Sequence, residues 1–132
     1  MEERIRELSL YRLERAKEML RDSRVSFENK QYCTSLNRSY YAVFHGIRSV
    51  NCLENYDSSK HSGCIAFFNK AFVKTGEVDK KLSIIIKKTS YYREKSDYED
   101  FFVASERDAR EQLDNATEFV ESIEEYLKTV IK

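Results

Sequence analysis

The sequence predicts an all-α protein, a single antiparallel bundle of four to five helices, and three observations carry that prediction. There is no proline and there are only three glycines, the two residues that most often break helices. Lys, Glu, Leu, Ile, Tyr and Phe are plentiful, a composition suited to helices with short connections. Apolar residues recur every three or four positions, as at Ala109, Leu113, Ala116, Val120, Ile123, Leu127 and Val130, which is helical periodicity. The 132 residues fit one domain over positions 1–132, burying about two-thirds of the unfolded surface.

The first helix is expected from residue 3 to about 22, with Ile5, Leu8, Ala16, Met19 and Leu20 as its buried stripe and Tyr11 or Leu13 completing it. Asp22-Ser23 reads as a break, and a second helix starts between Ser26 and Lys30 and runs to Val50 or Leu53. Glu54 to Ser59 is rich in turn formers, and Ser58 or Ser59 is suited to cap the next helix. That third helix is expected over 60–74, burying Ile65, Phe68 and Phe72, with Gly76 placed for a left-handed end. A fourth follows over 79–94; the lysines around Ile84-Ile85-Ile86, and the lack of a second strand, favour helix over strand. Positions 95–103 read as a turn, and the last helix spans about 105–130 with a charged outer face.

Charge and cysteine content narrow the function classes. Lys and Arg number 23, as do Asp and Glu, so no broad electrostatic grip on nucleic acid is indicated and any RNA contact depends on a local patch. Nothing resembles a signal peptide, and no apolar run approaches a membrane span. Cys33, Cys52 and Cys64 are odd in number and lack paired spacing, which fits reduced thiols in the cytoplasm.

The most informative stretch lies in the second helix. Arg38 and His45 are seven residues apart, close to two turns, so both point the same way. Cys33, Leu36, Tyr40, Val43, Phe44 and Ile47 cluster around the opposite pole and are expected to face the core. Tyr41 lies between Arg38 and His45, with Asn37 and Arg48 flanking. Ser35, Ser39, Ala42, Gly46 and Ser49 form a stripe of small residues on the other flank, and Gly46 in mid-helix, about 1 kcal/mol poorer than Ala, suggests close approach of another backbone. The expectation is a protein–protein seam carrying a basic groove, in which replacing Gly46 by Leu leaves a folded monomer.

At Arg38-Ser39-Tyr40-Tyr41-Ala42-Val43-Phe44-His45 the chain resembles the HEPN superfamily, specifically the small stand-alone proteins called UPF0332. The likeness continues through Lys60-His61-Ser62-Gly63, the run from Phe68 to Gly76, Tyr92-Arg93-Glu94-Lys95-Ser96-Asp97-Tyr98 and Ala116-Thr117-Glu118-Phe119-Val120, covering most of the chain from about residue 27. The resemblance implies a HEPN-like, dimeric helical bundle, often encoded beside a small nucleotidyltransferase. Many such proteins are metal-independent ribonucleases with an Arg, a polar residue and then a His; Arg38, Ser39 and His45 match that pattern here. Some HEPN toxins also carry a tyrosine two positions after the histidine, which a partner nucleotidyltransferase adenylylates; this chain has Ile47 there.

The resemblance therefore implies an endoribonuclease acting as the toxin of a toxin–antitoxin pair, with a nucleotidyltransferase antitoxin as partner. RNA cleavage needs a base for the 2′-hydroxyl proton, an acid for the leaving 5′-oxygen, and positive charge on the phosphorane-like transition state. His45 suits proton transfer and Arg38 suits bidentate phosphate binding, while Asn37, Ser39 and Tyr41 are candidate substrate-binding residues. One imidazole cannot readily be base and acid at once, so a homodimer bringing two Arg38/His45 pairs together is chemically meaningful. No cofactor is expected. A metal site would have to join His45, His61, Cys52 and Cys64, whose spacing matches no zinc pattern. His61 at a helix start is read as local structure, and Arg93, Asp97 and Tyr98 as a network bracing a turn, with Arg93 the one placed to line the groove. The alternatives are a non-catalytic module that binds a nucleotide or stabilises a partner, and an adaptor whose groove binds no nucleic acid.

Overall fold

The computed structural model describes residues 1–131. Five helices follow in order: α1 (Glu3–Glu28), α2 (Tyr32–Asn51), α3 (His61–Phe68), α4 (Lys81–Tyr98) and α5 (Glu106–Val130). A 3-10 turn at Cys52–Glu54 prolongs α2, and a π-helical turn at Asn69–Val73 prolongs α3. No strand occurs among the described residues, so the helical reading of Ile84-Ile85-Ile86 holds; Ile85 and Ile86 are buried and Ile84 is exposed.

The second helix is the centre of the bundle, packed against each of the other four. Leu36, Tyr40, Val43, Phe44, Ile47 and Val50 are buried in it, and the core they help to build takes Leu82 and Ile86 from α4 and Phe119, Val120 and Ile123 from α5. Cys33, expected on that arc, is exposed in the first turn of the helix.

The small-residue stripe is the main correction. Ser35, Ser39, Ala42 and Ser49 are fully buried within one chain, and α1 lies on the serines. The Ser23 hydroxyl donates to the Ser35 carbonyl at 2.9 Å and pairs with the Ser39 hydroxyl at 2.8 Å. Near the other end of α1, Ser9 donates to the Ser49 carbonyl at 2.7 Å. Gly46 faces α5, where an added Cβ would stand 3.1 Å from the Phe119 ring. Small residues do admit a close neighbour here, but the neighbours are α1 and α5 of the same chain.

The same serines explain why no break occurs at Asp22-Ser23. Ser23 and Ser26 are buried on α1, and the satisfied Ser23 hydroxyl at a packed crossing lets the helix run to Glu28. The turn comes instead at Lys30, whose φ of 61° is left-handed. In the first helix Leu13 is buried, whereas Leu8 and Tyr11 are exposed. Ile65 is only half-buried, while Phe68 and Phe72 enter the core. The Ser58 hydroxyl bonds the Lys60 amide within the loop and caps no helix. Gly76 takes a φ of 82° after the π-helical turn, as its position suggested. The fourth helix extends to Tyr98, past the expected end at 94, and Ser105 caps α5 by accepting from the Asp108 amide at 3.0 Å.

Candidate functional site

Burial of the core arc and the serine stripe leaves one open strip on α2, made of Arg38, Tyr41, His45 and Arg48, each partly exposed. Wheel positions put these four within about 80° of one another. On one side of the strip stands α1. His45 sits toward it and is half-buried, with a proton affinity pushed down to about 4, first by burial and then by the Arg15, Arg48 and Arg12 guanidiniums. Its Nδ1 is buried with no hydrogen-bond partner. At pH 7 this imidazole is neutral.

Asp57, from the loop after α2, offsets part of that positive charge. It accepts from Arg12 Nη2 at 3.1 Å and from Arg48 Nη2 at 3.0 Å, and Arg12 Nη1 also reaches the Arg48 carbonyl at 3.3 Å. Burial works against the Asp57 carboxylate, but the Arg48 hydrogen bond, the Ser58 amide and the two arginine charges outweigh it and hold its pKa down.

Opposite α1, the strip meets α4. Arg93 Nη2 donates to the Tyr41 hydroxyl at 3.0 Å, and Arg93 Nε stands 3.1 Å from Asp97. Its guanidinium also lies over the Tyr40, Tyr41 and Tyr98 rings, 5.1 to 5.5 Å from their centroids, a cation–π arrangement. Asp97 accepts from Asn37 Nδ2 at 3.0 Å, and the Asn37 carbonyl faces Arg38 Nη1 at 3.4 Å. Cys33, Thr34, Asn37, Arg38 and Asp97 line a shallow hollow of about 320 Å³.

The start of α3 closes this side. His61 stacks on Phe44 with ring centroids 4.0 Å apart and meets Tyr41 edge-on at 5.7 Å. Its Nδ1 is 2.9 Å from the Tyr40 hydroxyl. Burial, then Arg93 and Arg48, lower its proton affinity, while burial pushes the Tyr40 phenol up to about 12 despite Arg93.

The fold thus joins Asn37, Arg38 and Tyr41 through Asp97 and Arg93, and places His45 on the same strip, nearer the α1 arginines. Ser39 does not belong to it: it is fully buried and its hydroxyl is engaged by Ser23, so the expected substrate contact is corrected to an α1–α2 packing contact. Arg93 does line the groove, and it braces α2 rather than the turn after α4. Arg12 and Arg15 escaped sequence reasoning because they sit in a helix full of charges, where nothing marks two arginines as facing a histidine on another element. Among the described residues no three His, Cys, Asp or Glu side chains gather as metal ligands, and no helix is long and apolar enough to cross a membrane.

Comparison with known proteins bears on this geometry. The model of the HEPN domain family matches residues 9–126. A UPF0332 protein of Thermotoga maritima is 32% identical over 114 residues, 86% of each chain. A Methanocaldococcus jannaschii protein named "Putative toxin MJ0605" is 33% identical over 119 residues, covering 90% of this chain and 88% of that one. The crystal structure of TT1696 from Thermus thermophilus superposes with a TM-score of 0.75 over 90% of this chain and 98% of its own. At 21% identity it shows the shared helical fold.

Proposed function

The chain belongs to the HEPN domain family, and from that premise we propose that it is a metal-independent endoribonuclease, the toxin of a toxin–antitoxin pair. The observation that carries the reading is His45: a neutral imidazole, ringed by Arg12, Arg15 and Arg48, on the same open strip as Arg38. The toxin name of a relative that is 33% identical supports the role. Neutral imidazole transfers protons near pH 7, and guanidiniums stabilise charge that develops on phosphorus. Arg38 binds the scissile phosphate and His45 handles one of the two protons; Asn37 and Tyr41, oriented through Asp97 and Arg93, contact the substrate. Two copies apposed along this strip form the working homodimer, with a nucleotidyltransferase as the antitoxin. Position 47, where some HEPN toxins carry a modifiable tyrosine, holds Ile47, 1% exposed in the core. The antitoxin therefore silences the protein by covering the groove.

RNA incubated with the purified protein is expected to be cut in the presence of EDTA, leaving 2′,3′-cyclic phosphate ends, and DNA, which lacks the 2′-hydroxyl, is left intact. His45→Ala should lower the rate by about 10²-fold or more and change stability by no more than about 1 kcal/mol. Arg38→Lys keeps charge, loses the planar fork, and should impair cleavage in a folded bundle. Cleavage abolished by chelator and restored by magnesium would overturn the mechanism, and a His45→Ala protein that still arrests growth would overturn the assignment. A second reading, a non-catalytic module that binds a nucleotide or stabilises its partner, draws on Asp57, which already occupies Arg12 and Arg48. Nucleotide binding with no cleavage by the parent protein would select it.

A further inference from the structure

The chain has two histidines, and the fold sets them on either side of one aromatic pair. The His45 ring lies 6.5 Å from that of Tyr41 and 6.3 Å from that of Phe44; for His61 the separations are 5.7 and 4.0 Å. Their surroundings differ in one chemically decisive way. His45 Nδ1 is buried without a partner, whereas His61 Nδ1 is bonded to the Tyr40 hydroxyl. A hydroxyl can donate to a bare ring nitrogen and accept from a protonated one. Tyr40 therefore satisfies His61 in both of its protonation states, as a group that changes state in each turnover requires. Tyr40 is itself 3% exposed and keeps its proton. The charged groups facing His61 are Arg93 from α4 and Arg48 from α2, side chains suited to phosphate.

We infer that His61 is a second proton-transfer group of the groove, acting with His45 of the same chain on one RNA phosphodiester. This rests on the ribonuclease reading above. His61 Nε2 takes the 2′-hydroxyl proton as the bond from the 2′-oxygen to phosphorus forms. The bond from phosphorus to the 5′-oxygen breaks, and that oxygen receives a proton from the His45 imidazolium. The products are a 2′,3′-cyclic phosphate and a free 5′-hydroxyl, and solvent returns the proton from His61 to His45. His45 is the donor because burial and three cations drive a proton off it. The second imidazole then need not come from the partner's copy of the strip.

With only two imidazoles in the chain, ring resonances in a ¹H–¹⁵N spectrum report directly. Adding an uncleavable 2′-O-methyl RNA oligonucleotide to the parent protein should shift both rings. In cleavage assays His61→Gln should reduce kcat by about 10²-fold. Tyr40→Phe, which keeps the buried ring and removes the hydroxyl, should lower kcat less and move the pH at which half the activity is lost on acidification. If His45 shifts while His61 stays still, and His61→Gln cleaves with the parent's rate and pH profile, the inference falls and the ribonuclease reading stands. If neither ring moves and the parent cuts no RNA, the ribonuclease reading falls and takes this one with it. Should His61→Gln fail to fold, the parent's spectrum and the Tyr40→Phe profile decide alone.

Discussion

At His45 the fold imposes a proton affinity that an isolated residue type does not have. Histidine in an unfolded chain titrates near pH 6.5; here burial and the Arg15, Arg48 and Arg12 charges bring it to about 4. Between those two values the unfolded chain binds a proton that the folded chain refuses, so stability rises with pH across that window and is lost as pH falls through it. Below about pH 4 the loss from this residue is complete, and above about 6.5 it contributes no pH dependence. The full shift corresponds to at most roughly 3 kcal/mol, and to about half of that once solvent screening of a half-buried ring is counted. Urea unfolding of the parent at pH 7 and pH 5 should therefore show a clear loss of stability at the lower pH. His45→Gln, which cannot titrate, should lose distinctly less over the same interval. Asp57 weakens in acid in both proteins, since its pKa is held down by Arg48 and Ser58, so the difference between parent and variant isolates His45. Parallel losses in the two proteins would mean that His45 titrates normally and is not enclosed by these arginines.

On the scale of the helix, Gly46 shows how a correct local inference meets the wrong partner. A glycine in mid-helix announces close packing, and the packing is there: its missing Cβ leaves room for Phe119 at 3.1 Å and Ile123 at 3.6 Å. Gly46→Leu should thus destabilise the monomer by about 3 kcal/mol or more through overpacking, and no folded monomer of normal stability should result. Gly46→Ala should come out near neutral, because a gain of about 1 kcal/mol in helix propensity is set against a small displacement of the Phe119 ring. Denaturant midpoints of the two variants check both outcomes. What was legible in the sequence was whatever periodicity determines: the existence of every helix, the core arc through Leu36, Val43 and Ile47, and the open strip of Arg38, Tyr41 and His45. What was not legible depended on which element lies opposite. Nothing in Ser23 tells that its hydroxyl will meet Ser35 and Ser39 rather than end a helix. Nothing near Lys60-His61 tells that Tyr40 will receive the ring, because that contact spans 21 positions and leaves no local pattern.

Taken whole, the molecule still has an open face with a chemical asymmetry. The strip on α2 is cationic, and its flanks carry exposed apolar side chains: Tyr11 at 63% on α1, Tyr98 at 73% at the end of α4, and Phe101 fully exposed soon after it. Tyr11 shares a face with Arg15, four residues on, which is adjacent on a helix surface, and Tyr98 stacks with Arg93. Aromatic residues alternating with arginines are the side chains most often found at the energetic centre of an interface. With the small-residue stripe consumed inside the chain, these flanks are the surface on which a two-fold contact across the groove would rest. The parent protein should therefore sediment as a dimer at micromolar concentration. Tyr98→Asp, a surface change with little bearing on the core, should shift it toward monomer without lowering its melting temperature by more than about 2 °C. Cleavage should fall in step with dimer content, because each groove would lose the cations of the second copy. A parent protein that sediments as a monomer at high micromolar concentration, yet cuts RNA at full rate, would show that one chain carries a complete site and that Tyr98 and Phe101 serve some other contact.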